Sequence, residues 1–141
     1  MTTTAKVTWV EDARFVGQAS SGHGIIIDGS KEKLGPAPME LVLIGLVGCT
    51  AYDVMAILQK KRQKVTGLEV SAQAERAAEP PMVYTQIHVD YVVRGVGVKT
   101  KAVADAIRLS EETYCSAAAM LNKTATITTS YRIVEQESSG A

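Results

Sequence analysis

The sequence predicts an α+β fold, an antiparallel sheet around one long buried central helix. Three observations predict it. Short runs of β-prone residues fill both ends of the chain, separated by glycine, proline and charged turns. The stretch PMELVLIGLVGCTAYDVMAIL, Pro38 to Leu58, is the most apolar part of the sequence and too long for a strand. The remainder alternates strand-like and helix-like periods, giving the order β-β-β-α-β-β-α-α-β.

The elements follow in order. AKVTWVED and RFVGQAS read as a hairpin, and GIIIDG as a third short strand bounded by glycines. GSKEKLGPAP is a charged, turn-rich loop without a phosphate-loop frame. Pro38 suits a first helical turn, and Lys60, Lys61 and Arg62 suit a helix end. TGLEVSAQAERA alternates as a half-buried strand, and PPMVYTQIHVDYVVRG as a second one closed by Gly95 and Gly97. KTKAVADAIRLSEET places Val103, Ala106, Ile107 and Ser110 at helical spacing, and TYCSAAAMLNK reads as a short helix with Thr113 as its N-cap. TATITTSYRIVEQ closes the sheet. One domain over 1–141 is expected, with loose termini at about 1–4 and 136–141.

The chain carries 15 basic and 15 acidic side chains, a formal net charge of +0. No basic excess points to nucleic acid. The N-terminus lacks the apolar segment of a secretory signal, and Glu40 and Asp53 interrupt the one stretch approaching the roughly 20 residues of a membrane span. The expectation is a cytoplasmic protein with no membrane partner. Leu41, Val42, Leu43, Ile44, Leu46 and Val47 surround the helix axis, and an all-round apolar helix is buried all round. In so small a chain that argues for a second subunit. Gly45 and Gly48, each costing about 1 kcal/mol in a helix relative to alanine, suit close approach of its backbone.

The chemistry rests on two cysteines, Cys49 and Cys115, 66 positions apart. In a reducing compartment they are either inert core thiols or redox-active ones. With Thr113 as N-cap, Cys115 lies in a first helical turn, where free N–H groups favour a thiolate. Cys49 lies eleven residues into its helix, roughly 16 Å from the start, beyond reach of the dipole. Asp53, one turn on, works against its ionisation. His23 in a turn and His88 in a strand are isolated, and with the distant cysteines they give no zinc-ligand spacing, so no metal is expected. Glu75-Arg76 reads as a surface pair.

The pattern GPAPMELVLIGLVGCTAYDV…ILQKKR, followed by YCSAAAMLNKTATI, resembles the OsmC/Ohr family of osmotically inducible and organic-hydroperoxide-resistance proteins, closest to its YhfA-like branch. The resemblance spans Ala5 to Val134. It implies an intertwined homodimer with the central helices packed together and active sites at the interface. It also implies a thiol peroxidase. Cys49 is the thiol that attacks an organic hydroperoxide, Cys115 condenses with the sulfenic acid to a disulfide, and an external dithiol reductant restores the pair, with no other cofactor. In the peroxidase branches an N-terminal arginine, held by a glutamate at the helix start, activates the first thiol. Arg14 and Glu40 are the matching candidates. The glutamate stands one place later than usual, with Met39 in its position, a rotation of about 100° on the helix. The alternatives are a non-enzymatic module holding a hydrophobic small molecule, or a redox sensor.

Overall fold

A computed structural model describes residues 1–137; the SSGA tail expected to be loose lies outside the described residues. The chain divides into two compact units, Met1–Ile44 and Gly45–Ala141.

The first unit is a three-stranded antiparallel sheet in the order β1-β2-β3, formed by β1 (Ala5–Glu11), β2 (Arg14–Ala19) and β3 (Gly24–Asp28). Asp12 takes a positive φ of 47° in the β1–β2 turn, a conformation aspartate tolerates better than most residues. Within this sheet only Gly17 and Asp28 are buried, while Val7, Trp9, Ile25 and Ile26 are exposed. After β3 the Asp28 N–H donates to the Pro36 carbonyl at 3.1 Å, folding the charged loop back before helix α1 (Pro38–Lys60). The Glu40 side chain accepts from the Ala37 N–H at 3.0 Å, tying down a free donor at the helix start.

α1 continues into the second unit. There its buried residues are Leu46, Thr50, Val54 and Leu58, one stripe at four-residue spacing. Val42, Ile44 and Tyr52 are exposed, and the space beside Gly45 and Gly48 is open. The helix expected to be buried all round is therefore buried on one side by its own chain. It is long and apolar enough to cross a bilayer by length and composition alone.

The second sheet has the order β4-β5-β6, from β4 (Lys64–Arg76), β5 (Tyr84–Val96) and β6 (Thr126–Glu135). β4 and β5 pair antiparallel over their full lengths, and Gly95 lets the chains close at the end of that ladder. A Cβ there would stand 2.2 Å from the Lys64 carbonyl oxygen. β6 pairs with β5 in parallel, so the sheet is mixed rather than wholly antiparallel. The cause is the connection. Helix α2 (Thr100–Leu109), a wide π-type turn over Ser110–Tyr114 and helix α3 (Ser116–Leu121) form the crossover that a parallel pair requires. Ile87, Val89, Tyr91 and Val93 of β5 alternate inward and are buried, as are Val103, Ala106 and Ile107 of α2. His88 faces the other way, bonded to Thr128 at 2.7 Å and Ser130 at 2.8 Å. The ends are tied: the Thr4 N–H reaches the Ser20 hydroxyl at 2.8 Å, and the Gln136 N–H reaches the Gly95 carbonyl at 2.8 Å.

Candidate functional site

Cys49 sits on α1 one residue before the buried Thr50, so the face that packs inward presents its edge at the thiol. Cys115 arrives from the crossover. The π-type turn closes with the Cys115 N–H donating to the Ser110 carbonyl at 2.7 Å. Cys115 is then itself the N-cap of α3, its Sγ accepting from the Ala118 N–H at 3.4 Å. This corrects the expectation that Thr113 caps the helix. Thr113 lies inside the wide turn, which moves the start of α3 further along the chain. The result brings together what the sequence separates. The Sγ atoms of Cys49 and Cys115 and a carboxylate oxygen of Asp53 all lie within 4.8 Å of one another.

Both cysteines are free thiols; Cys115 is buried and Cys49 half-buried. Burial pushes the Cys115 thiol up to about 11, which the Ala118 N–H only partly offsets and the Cys49 thiol reinforces. The expectation that free helix N–H groups favour a Cys115 thiolate is thereby overturned, because desolvation outweighs a single N–H donor.

Beside the thiols runs a chain of buried hydroxyls, of which only Ser110 stood out in the sequence, by its helical spacing. Ser110 Oγ donates to Asp53 Oδ2 at 3.0 Å. A carboxylate only accepts, so this bond uses the serine proton. Thr50 Oγ1, 2.9 Å from Ser110 Oγ, must then donate to it, and Tyr91 OH, 2.7 Å from Thr50, must donate to Thr50. The order Tyr91→Thr50→Ser110→Asp53 follows. Burial pushes the Tyr91 hydroxyl up to about 12, keeping it the protonated head of this chain. The detectable signal was polar residues at core spacing: Thr50 within the apolar stripe of α1, and Ser110 in register with Val103, Ala106 and Ile107.

A cleft of about 720 Å³ is lined by Asp53, Ala56, Ile57, Leu109 and Tyr114 together with Lys60 and Lys61. A void of about 10 Å³ lies behind Cys115 among Leu46, Thr50, Val89 and Tyr91.

Arg14 and Glu40, the other two predicted site residues, belong to the first unit and are already occupied there. Arg14 Nε donates to Asp28 at 3.2 Å, and its two terminal nitrogens pair with Glu11 at 2.8 Å and with Glu32. Glu40 holds the Ala37 N–H rather than the arginine. The missed partner, Asp28, stands opposite Arg14 in the β2–β3 register. Its carboxylate lies well below the ordinary range. The Ser30 hydroxyl comes close to it without hydrogen-bond geometry, and the Leu34 and Ser30 amides and Arg14 bond to it. Glu75 and Arg76 form no ion pair among the described residues; Arg76 instead donates to the Met82 carbonyl and covers the Tyr84 ring at 6.0 Å.

An α+β chain with a long helix bearing one free thiol, set beside a second on the crossover, defines a dithiol protein. The family model described as OsmC-like protein matches residues 29–130, and the chain belongs to that family. It is 47% identical over 130 residues to protein YhfA of Escherichia coli strain K12, covering 92% of this chain and 97% of that protein. Among solved structures, a hypothetical protein from Aquifex aeolicus VF5 matches at TM-score 0.88 and 30% identity, over 97% of this chain and 99% of that one. An organic hydroperoxide resistance protein OsmC from Legionella pneumophila shares the fold at TM-score 0.68 and 12% identity, over 93% and 96%.

Proposed function

We propose that the protein is a homodimeric thiol peroxidase that reduces organic hydroperoxides through Cys49 and Cys115. The observation that carries this reading is the approach of the two sulfurs to within 4.8 Å. The Cys49 thiolate attacks the terminal peroxide oxygen; the O–O bond breaks, the alcohol leaves with a proton, and Cys49 becomes a sulfenic acid. Cys115 displaces hydroxide from that sulfur, forming the disulfide and releasing water. An external dithiol then reduces the disulfide by exchange, which suits a reducing cytoplasm. The greater exposure of Cys49 supports its role as the attacking thiol, and the buried, high-pKa Cys115 suits the resolving role. The apolar walls of the neighbouring cleft, Ala56, Ile57 and Leu109, fit the alkyl part of an organic hydroperoxide.

A second copy of the chain supplies what this copy leaves open. Val42, Ile44 and Tyr52 on α1 and both faces of the β1–β3 sheet present apolar side chains to solvent, and Gly45 and Gly48 leave room for a neighbouring helix. The engagement of Arg14 by three carboxylates favours a second reading, a binding module or redox sensor without rapid turnover. Cumene hydroperoxide with dithiothreitol separates the two. Turnover that Cys49→Ser abolishes, through an intrachain Cys49–Cys115 disulfide visible by mass spectrometry, supports the peroxidase. Turnover equal in wild type and Cys49→Ser rejects it. Sedimentation of a 15.0 kDa species at micromolar concentration rejects the dimer.

A further inference from the structure

We propose that the reduced Cys49–Cys115 pair, together with Asp53, binds a thiophilic divalent cation of the zinc type. Three donor atoms, two sulfurs and one carboxylate oxygen, lie within 4.8 Å of one another. Tetrahedral zinc holds sulfur at about 2.3 Å and carboxylate oxygen at about 2.1 Å, which sets its donors roughly 3.5–3.8 Å apart. The three atoms therefore reach the ion by shifts of about an ångström. Two soft ligands and one hard one select zinc over magnesium or calcium. With three protein ligands, the fourth position is left to water or a ligand.

The surroundings are those of ligands already aimed. Cys49 and Asp53 are four residues apart on α1 and share a face. Ser110 donates to Asp53 Oδ2 and is itself fully buried and held by Thr50, so the carboxylate is oriented by its neighbours. The Ala118 N–H already points at Cys115 Sγ, a donor that favours a coordinated thiolate. Such outer hydrogen bonds fix ligand geometry in metal sites. Asp53 forms no ion pair among the described residues, although two thiols adjoin it. A carboxylate that opposes thiolate formation becomes an asset once a cation sits between the three.

Loading exchanges two thiol protons for one divalent cation. Where a hydroperoxide oxidises the loaded pair, the sulfurs lose two electrons and join. The O–O bond takes up those electrons and two protons to give alcohol and water, and the cation departs. That coupling rests on the peroxidase reading; the binding itself does not.

The test titrates Co²⁺ into the full-length protein, kept reduced with a phosphine under anaerobic conditions and without peroxide. One equivalent per chain should produce sulfur-to-cobalt charge-transfer absorption and intense tetrahedral visible bands, both removed by Zn²⁺. Cys49→Ser should lose the charge-transfer intensity, and Asp53→Asn should weaken binding at least about tenfold. Wild type showing no charge-transfer band at stoichiometric Co²⁺ overturns the site. So does a folded Asp53→Asn protein with wild-type affinity. If Asp53→Asn does not fold, a Cys49→Ser protein retaining the full band overturns it instead. Peroxide-driven disulfide formation in metal-free wild type is scored separately, so either idea can fail alone.

Discussion

Thr50→Val cuts the buried hydroxyl chain at its middle while preserving shape. Valine is near-isosteric, so no cavity opens, and the loss is confined to hydrogen bonds. Tyr91, 1% exposed, is left with a donor and no acceptor, which costs about 1–3 kcal/mol. Ser110 keeps its bond to Asp53 but no longer receives one from Thr50, a smaller loss of about 1 kcal/mol. The two together give about 2–4 kcal/mol. In a chain of this size 1 kcal/mol moves Tm by roughly 3–4 °C, so a fall of about 6–16 °C is expected. Urea and thermal denaturation at fixed protein concentration measure it. Tyr91→Phe removes the orphaned donor, so adding it to Thr50→Val should cost at least about 1 kcal/mol less than the two single changes summed. A Thr50→Val protein within about 0.5 kcal/mol of wild type, or strict additivity, would refute the directed order Tyr91→Thr50→Ser110→Asp53.

Three further outcomes are expected. Iodoacetamide near neutral pH should label Cys49 before Cys115, and Cys115 labelling should climb only as pH approaches about 11, read site by site by mass spectrometry; labelling of Cys115 first contradicts its burial. Asp28 has a folded pKa below its unfolded value of about 3.9, so its contribution is present above that value and is lost as pH falls toward the folded one. Wild type should thus lose more stability than Asp28→Asn between about pH 5 and about pH 2, and equal losses count against the Asp28 contacts. Gly95→Ala should destabilise by about 1–3 kcal/mol, because its Cβ would stand 2.2 Å from the Lys64 carbonyl and 2.6 Å from the Val98 side chain; a neutral result by chemical denaturation rejects that close approach.

The elements were legible because local patterns decide them. Alternation in β4 and β5, glycine and proline punctuation, and the length of the apolar run place strands and helices close to where they occur. Strand direction was not legible, since the same alternating residues in β6 serve a parallel or an antiparallel neighbour equally well. The site divides the same way. Cys49 and Cys115 were found through their pattern, but the role of Asp53 depends on a crossover that brings residue 115 back to the helix. Arg14 was matched to Glu40, and its actual partners Asp28 and Glu32 lie 14 and 18 positions away. Only the β2–β3 register makes Asp28 its neighbour.

The parallel pairing of β5 with β6 also orders events in time. β4 and β5 are joined by a short connection and can zip as a hairpin as soon as both exist. β6 cannot dock until the chain from Gly97 to Ala125 has folded across, and that longer loop closes more slowly. During synthesis, β5 therefore emerges with one edge paired and the other bare, and β6 follows only after the whole crossover. A nascent chain stalled before Thr126 presents the bare edge of its most buried strand, which makes that interval the one in which a chaperone has something to hold.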